Sequence, residues 1–321
     1  MFLLNCSCND MARVLQITVP ADQTEELIQR LKETDHLISM KLYRGASVKP
    51  PGDVIAVEVI NRVYHPLLEM LARKGIGATS ATGLSASEPT AIYSRPFSDP
   101  LARDISEASS EEMDFSMAKE GNMTANGLAL MFCGGTLATL GLTLGAVELV
   151  IAAMIISPGF ESLARIGLGI SCGSSAVRRG VANMLKAYAM LFAGAVLTAL
   201  ILQGMGKPLS GSAESYLEGS ELVKYWSSLK VTAFWSGGVA AIAGVVLTAA
   251  HRSILTAGAM VGLALVPAAA LVSMGLVAGD FGFAGKALGR WFAEVVLVVV
   301  IATVIFLWKR LATHKRKMIN G

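Results

Sequence analysis

The chain has 321 residues, 53% of them hydrophobic and only 16% charged, and a mean hydropathy of +0.56, which leaves too little polar surface to solvate a globule of this size. Its net charge of +3 is small, and the basic residues lie beside apolar runs rather than in one stripe, so nucleic acid is excluded as a partner and lipid is expected as the solvent for much of the chain. Four cysteines (Cys6, Cys8, Cys133, Cys172) and four histidines (His36, His65, His251, His314) show no metal-ligand spacing, so neither a disulfide framework nor a metal or other cofactor is expected. The stretch before Met11 lacks the basic region and apolar length of a signal peptide, which makes Met11 a candidate start.

Charge density divides the chain in two, and residues 1–94 read as a soluble domain. Val14 to Val19 reads as a strand ended by Pro20, and Asp22 then caps an amphipathic helix with Leu27, Ile28 and Leu31 on one face. Leu37 to Tyr43 and Asp53 to Ile60 are two further strands, separated by Gly45, Pro50, Pro51 and Gly52. A helix from about Tyr64 to Lys74 packs Leu67, Leu68 and Leu71, and Gly75 and Gly77 close it. With a last strand at Thr90 to Tyr93, the order is β-α-β-β-α-β, the split unit of a ferredoxin-like α+β sandwich. Residues 95–122 are rich in Ser, Glu, Asp and Lys and read as a partly helical polar linker.

Residues 123–310 read as an α-helical polytopic membrane domain of about six spans, at roughly 124–142, 145–171, 181–203, 230–250, 254–278 and 286–308, each close to the ~20 residues needed to cross a bilayer. Arg178 and Arg179, His251 and Arg252, and the basic tail after Lys309 fall on one side, which predicts cytoplasmic N- and C-termini. Glu214, Glu218 and Glu221 face the other side; Lys286 and Arg290 go against the rule.

The two halves of this domain correspond. Gly134, Gly135 and Gly141 fall onto Gly237, Gly238 and Gly244 at a constant offset of 103 (237 − 134, 244 − 141), after which Pro158 meets Pro267 and Gly167-Leu168 meets Gly275-Leu276. A three-span unit duplicated in tandem inserts its second copy upside down, giving two inverted repeats. The match puts a proline within the second helix of each half, where it removes a backbone hydrogen bond and exposes carbonyls. Either these paired breaks form a midplane site, as in transporters, or they only kink packed helices.

Glu161 and Arg165 follow Pro158 four residues apart, on one helical face, where they are expected to neutralise each other at membrane depth. Glu294 in the sixth helix is a second buried acid and a competitor for Arg165, whereas Glu148 and Asp280 read as interfacial and loop positions. Gly134-Gly135 and Gly237-Gly238 read as close helix crossings, and Gly-rich helix faces suggest a homo-oligomer. Nothing has a Ser-His-Asp, zinc-ligand or phosphate-loop arrangement, so no enzyme is expected.

Ala138-Thr139-Leu140-Gly141-Leu142, Ala153-Met154-Ile155-Ile156-Ser157-Pro158, Ser236-Gly237-Gly238-Val239-Ala240 and Met260-Val261-Gly262-Leu263-Ala264-Leu265-Val266-Pro267, in that order, resemble the bacterial hydrophobic membrane proteins of domain of unknown function 389. Gly159-Phe160-Glu161 stands where that pattern has an apolar stretch ending in Gly-Pro, Ala268 where it has a second proline and Glu294 where it has Asn, so both acids are peculiar to this branch. The resemblance implies a multi-pass protein of the inner membrane and names no substrate. Two functions fit: a transporter or channel-like protein with a cytoplasmic regulatory domain that takes a small ligand, or a scaffold or sensor whose helices anchor that domain.

Overall fold

A computed structural model describes residues 12–34, 37–87, 89, 110–173, 175–206, 221–227, 231–249 and 263–312. Cys6, Cys8 and the Met11 start, the strand expected at 90–93, the loop acids Glu214 and Glu218, His251 and Arg252, and the tail beyond 312 lie outside them. The chain forms two compact units, one up to Ser109 and one from Ser110 to Lys317.

The first unit runs β1 (Arg13–Val19), α1 (Ala21–Lys32), β2 (Leu37–Val48), β3 (Pro51–Val59), α2 (Asn61–Arg73) and β4 (Gly83–Ser87). Its sheet has the order β2-β3-β1-β4 with antiparallel neighbours throughout. Alternation in β1 buries Leu15, Ile17 and Val19, and β3 buries Ile55, Val57 and Val59. Leu27, Ile28 and Leu31 of α1 and Leu67, Leu68 and Leu71 of α2 cover that face as their periodicity predicts. Three details differ. The described fourth strand comes at Gly83–Ser87, Asp22 sits inside the first turn of α1 after Pro20 rather than capping it, and β2 extends past Gly45. The anchor at this corner is Asp53, which accepts from the Thr24 hydroxyl at 2.8 Å and from the Gly45 N–H at 2.7 Å.

The second unit is helical: α3 (Ser110–Gly121), α4 (Ala125–Leu144), α5 (Val147–Ile156), α6 (Phe160–Cys172), α7 (Ala176–Gly204), α8 (Glu221–Ser227), α9 (Val231–Ala249), α10 (Leu265–Ala278) and α11 (Phe281–Ala312). Three of these, α4, α7 and α11, are each long and apolar enough to cross a membrane, and α5 with α6 makes a fourth candidate span bent by 45°. The segments expected at 230–250 and 254–278 are represented by α9 and α10, shorter apolar helices separated by residues outside the described set.

Glycines set the turns and crossings of this unit. Gly145, Gly173 and Gly279 take left-handed conformations with φ of 69°, 65° and 75°, ending α4, α6 and α10 and reversing the chain. A Cβ on Gly135 would meet the Leu191 carbonyl oxygen of α7, and one on Gly194 would meet the Phe132 carbonyl oxygen of α4, so each helix supplies the gap the other fills. Gly134 lies equally close to Ser157 of the break. For Gly237 and Gly238 no such crossing is described: among the described residues, the nearest atom to a Cβ on Gly237 is at 3.6 Å, ordinary contact distance, and nothing lies within 4 Å of one on Gly238.

The segment expected as a linker is, over its second half, the helix α3. It buries Met113 and Met117 at four-residue spacing and packs on α6, so it belongs to the helical unit.

Candidate site at the helix breaks

The backbone of α5 stops at Ile156 because Pro158 has no N–H to continue the ladder. Ser157 is extended, with φ −85° and ψ 109°, its hydroxyl donates to the Ala153 carbonyl, and α6 begins at Phe160. Among the described residues, α10 begins at Leu265, with Leu263 and Ala264 in non-helical backbone before it. Pro267 follows this start closely. It is the third residue of α10, in the first turn, where a helix has no acceptor for an N–H and proline is tolerated.

The α5–α6 break and the start of α10 meet. A pocket of about 10 Å³ is lined by Met154, Ser157, Gly159 and Phe160 from the first, by Leu263, Leu265 and Val266 from the second, and by Tyr188 of α7. Tyr188 is 2% exposed, and its ring packs edge to face on Trp291 at 5.1 Å, which brings the indole N–H near its hydroxyl. The hydroxyl lies over Gly159, where a Cβ would sit 2.9 Å from it.

Glu161 and Arg165 are both buried, as expected, but they do not pair. Arg165 donates to Asp114 of α3 at 2.7 and 3.3 Å and to Asn122 at 3.1 Å. Asn183 of α7 donates to the same Asn122 oxygen, and Arg179 stands 3.8 Å from Asp114. The helical spacing was right, but α3 brings a carboxylate to Arg165 in a bidentate geometry that a neighbour on the same helix does not match. Glu161 keeps Oε2 without a partner and faces a cavity of about 360 Å³, with Lys119, Glu120, Asn122 and Pro158 also on its walls.

Glu294 does not compete for Arg165 either. Its Oε1 accepts from Arg290 at 2.9 and 2.5 Å, and its Oε2 accepts from the Ala264 N–H at 2.5 Å, closing the N-terminal end of α10. All three partners are buried. Arg290 is thus paired inside the fold instead of counting toward a loop, whereas Asp280, read as a loop position, lies in the turn just before α11 and accepts from the Phe283 N–H at 2.9 Å. Glu148 is exposed in the first turn of α5.

Asp114, Asn122 and Tyr188 carried no signal in the sequence, and Arg290 stood out there only for its charge. Asp114 sits between Met113 and Met117 in a polar stretch, and only their four-residue spacing hints that the stretch packs. Among the described residues no group of three or more His, Cys, Asp or Glu is placed to hold a metal ion.

Residues 154–309 match the family model described as a domain of unknown function, DUF389. The match begins at the first helix break and runs almost through α11, leaving the Ala138–Leu142 segment outside it. No curated protein and no solved structure matches the chain.

Proposed function

From a chain whose residues 154–309 match the DUF389 model, we propose a membrane transporter or channel-like protein whose solute passes the helix break at Pro158 and the start of α10, with the N-terminal domain as a cytoplasmic regulator. The observation that carries this reading is the meeting of the α5–α6 break and the N-terminal end of α10 at one pocket, beside buried ionisable groups that lipid would not tolerate unless they served a path or a partner.

An arrangement of six spans in two inverted halves is part of the proposal. Gly279 follows Gly173 by 106 positions (279 − 173), and the same interval relates Gly169 to Gly275, Pro158 to Ala264 and Tyr188 to Glu294. Gly169 closely approaches the start of α7, and Gly275 closely approaches the start of α11. Both α6 and α10 pack on α7 and on α11 alike. This register supports the repeat better than the pairing of Pro158 with Pro267. Where Pro158 has no N–H, the Tyr188 hydroxyl lies over the neighbouring Gly159, and where Ala264 has one, Glu294 accepts it.

The orientation proposed, with both termini cytoplasmic, draws support from Arg310, which donates to the Ser171 carbonyl. That bond puts the basic end of α11 beside the α6–α7 turn that carries Arg178 and Arg179. No enzymatic step is assigned.

The test is solute flux in proteoliposomes for the wild type and for Glu161→Gln. The reading expects flux above that of empty liposomes and a loss in the variant, with unfolding temperature unchanged. Wild-type flux equal to that of empty liposomes for every ion and solute tried rejects it and leaves a membrane anchor for the N-terminal domain.

A further inference from the structure

The cavity of about 360 Å³ beside the α5–α6 break carries an unbalanced negative charge. Glu161 stands on its wall, 5% exposed, with Oε2 lacking a hydrogen-bond partner. Its own backbone N–H, at the start of α6, meets part of that charge. Among the described residues, the other charge that reaches it is that of Glu120, which has the same sign. Arg165 does not serve it, because Asp114 and Asn122 hold the guanidinium. Lys119 is on the wall but exposed, and it makes no bond to Oε2 of Glu161. A carboxylate buried without a counter-charge is strongly disfavoured, so a positive occupant is favoured beside it.

A second, independent acceptor comes from the backbone. Pro158 has no N–H to give, and the Gly159 N–H donates to the Ser157 carbonyl at 2.8 Å. These are the two residues that a continuing helix would turn toward the Ile155 carbonyl, so that carbonyl is left without a helical donor, and Ile155 lines the cavity. The wall has one lysine and two glutamates, Lys119, Glu120 and Glu161, a net charge of −1 that a single positive charge balances. Leu130, Ile155, Ile156 and Pro158 make an apolar side. Among the described residues no group of three or more His, Cys, Asp or Glu is placed to hold a metal ion, and the volume is many times that of a bare ion. It is instead of the size that takes a small organic molecule. An ammonium group has three N–H donors and no acceptor, which suits a site whose unused groups are a carboxylate oxygen and a carbonyl.

We infer that the cavity at Pro158 binds a small organic monocation, an ammonium group on a compact hydrocarbon body. The ammonium is held by Glu161 Oε2 and the Ile155 carbonyl, and the hydrocarbon packs against Leu130 and Ile156. This names the solute class for the transport reading and rests on that reading only for the step of movement, because binding is measurable without flux.

Benzylammonium is the probe and benzyl alcohol its neutral counterpart. Binding of radiolabelled benzylamine to the full-length protein in detergent is measured by equilibrium dialysis at neutral pH and constant ionic strength, and its uptake into proteoliposomes is compared with that of empty liposomes. The expected result is saturable binding that weakens at least about tenfold in Glu161→Gln, which removes the charge and breaks no ion pair. Lys119→Met is expected to tighten binding, because it removes a positive charge that opposes the probe, a gain that a merely structural role for these residues does not produce. Unfolding temperatures show whether both variants are folded. Binding that is linear in the probe, equally strong in folded Glu161→Gln, weaker in folded Lys119→Met, or displaced by benzyl alcohol as well as by unlabelled benzylamine overturns the site. Flux of another solute without saturable benzylammonium binding also overturns it and leaves the transport reading intact; saturable binding without flux of any solute supports the site and rejects transport.

Discussion

Arg165 of α6 donates to both oxygens of Asp114 on α3, while Glu161, one turn earlier on α6, keeps an oxygen without a partner. The pair joins a helix that looks like polar linker to a helix at membrane depth. It also separates the two roles that Glu161 and Arg165 were expected to share. The guanidinium is held by α3, which fixes packing, and the carboxylate is left facing the large cavity.

Asp114→Ala is expected to destabilise the helical unit by about 3 kcal/mol, because it leaves a buried guanidinium with only Asn122 to accept from it. Asp114→Asn keeps one acceptor and is expected to cost less. Thermal unfolding in detergent measures both, and an unchanged midpoint for Asp114→Ala would show that α3 does not hold Arg165 in solution. Glu161→Ala, by contrast, breaks no ion pair.

Gly135→Ala is expected to cost about 1–3 kcal/mol, since its Cβ would meet the Leu191 carbonyl and drive α4 from α7. Gly238→Ala is expected to leave stability unchanged within about 0.5 kcal/mol, since no described residue lies within 4 Å of its Cβ. Paired unfolding midpoints decide it: equal losses at both positions would restore the matching of Gly134-Gly135 with Gly237-Gly238.

These glycines mark where the sequence was legible and where it was not. Hydrophobic periodicity is a local signal, and it located Leu27, Leu31, Leu67 and Leu71 in the core of the first unit and the apolar character of α4, α7 and α11. The break at Pro158 was legible because proline has a local backbone consequence. Partner choice is not local. Arg165 is bonded to residues 51 and 43 positions away, and Glu294 to an N–H 30 positions away, so the four-residue spacing to Glu161 carried less information than it suggested. The start of α10 after Ala264 left no residue signature, and Pro267 three positions on drew attention away from it.

Asp53 predicts an acid-sensitive corner in the first unit. The Gly45 N–H and then the Thr24 hydroxyl hold its carboxyl below the usual range by bonding its charged form. A depressed folded pKa contributes stability that is fully present above the unfolded value, near 3.9, and is lost as pH falls through the folded value. Hydrogen exchange at β2 and β3 is therefore expected to stay flat from neutral pH down to about 4, after correction for intrinsic rates, and to accelerate below it. Asp53→Asn is expected to remove that acid step; a step that survives the substitution would assign it to another carboxylate.

The Arg290–Glu294 pair gives the sharpest test of what holds the start of α10. Both side chains are almost fully buried, at 3% and 1% exposed, so removing either partner strands a charge and is expected to cost about 3–5 kcal/mol. Glu294→Gln also weakens the acceptor for the Ala264 N–H, whereas Arg290→Met leaves that bond and strands the carboxylate instead. The double variant Arg290→Met, Glu294→Met removes both charges together and is expected to be more stable than either single variant, losing mainly the closure of the N-terminal end of α10. Its remaining deficit, read from unfolding midpoints, measures that closure at about 1 kcal/mol. A double variant that loses as much as the two singles added together would mean that the two groups act independently, and that Glu294 is held in place by the helix end alone.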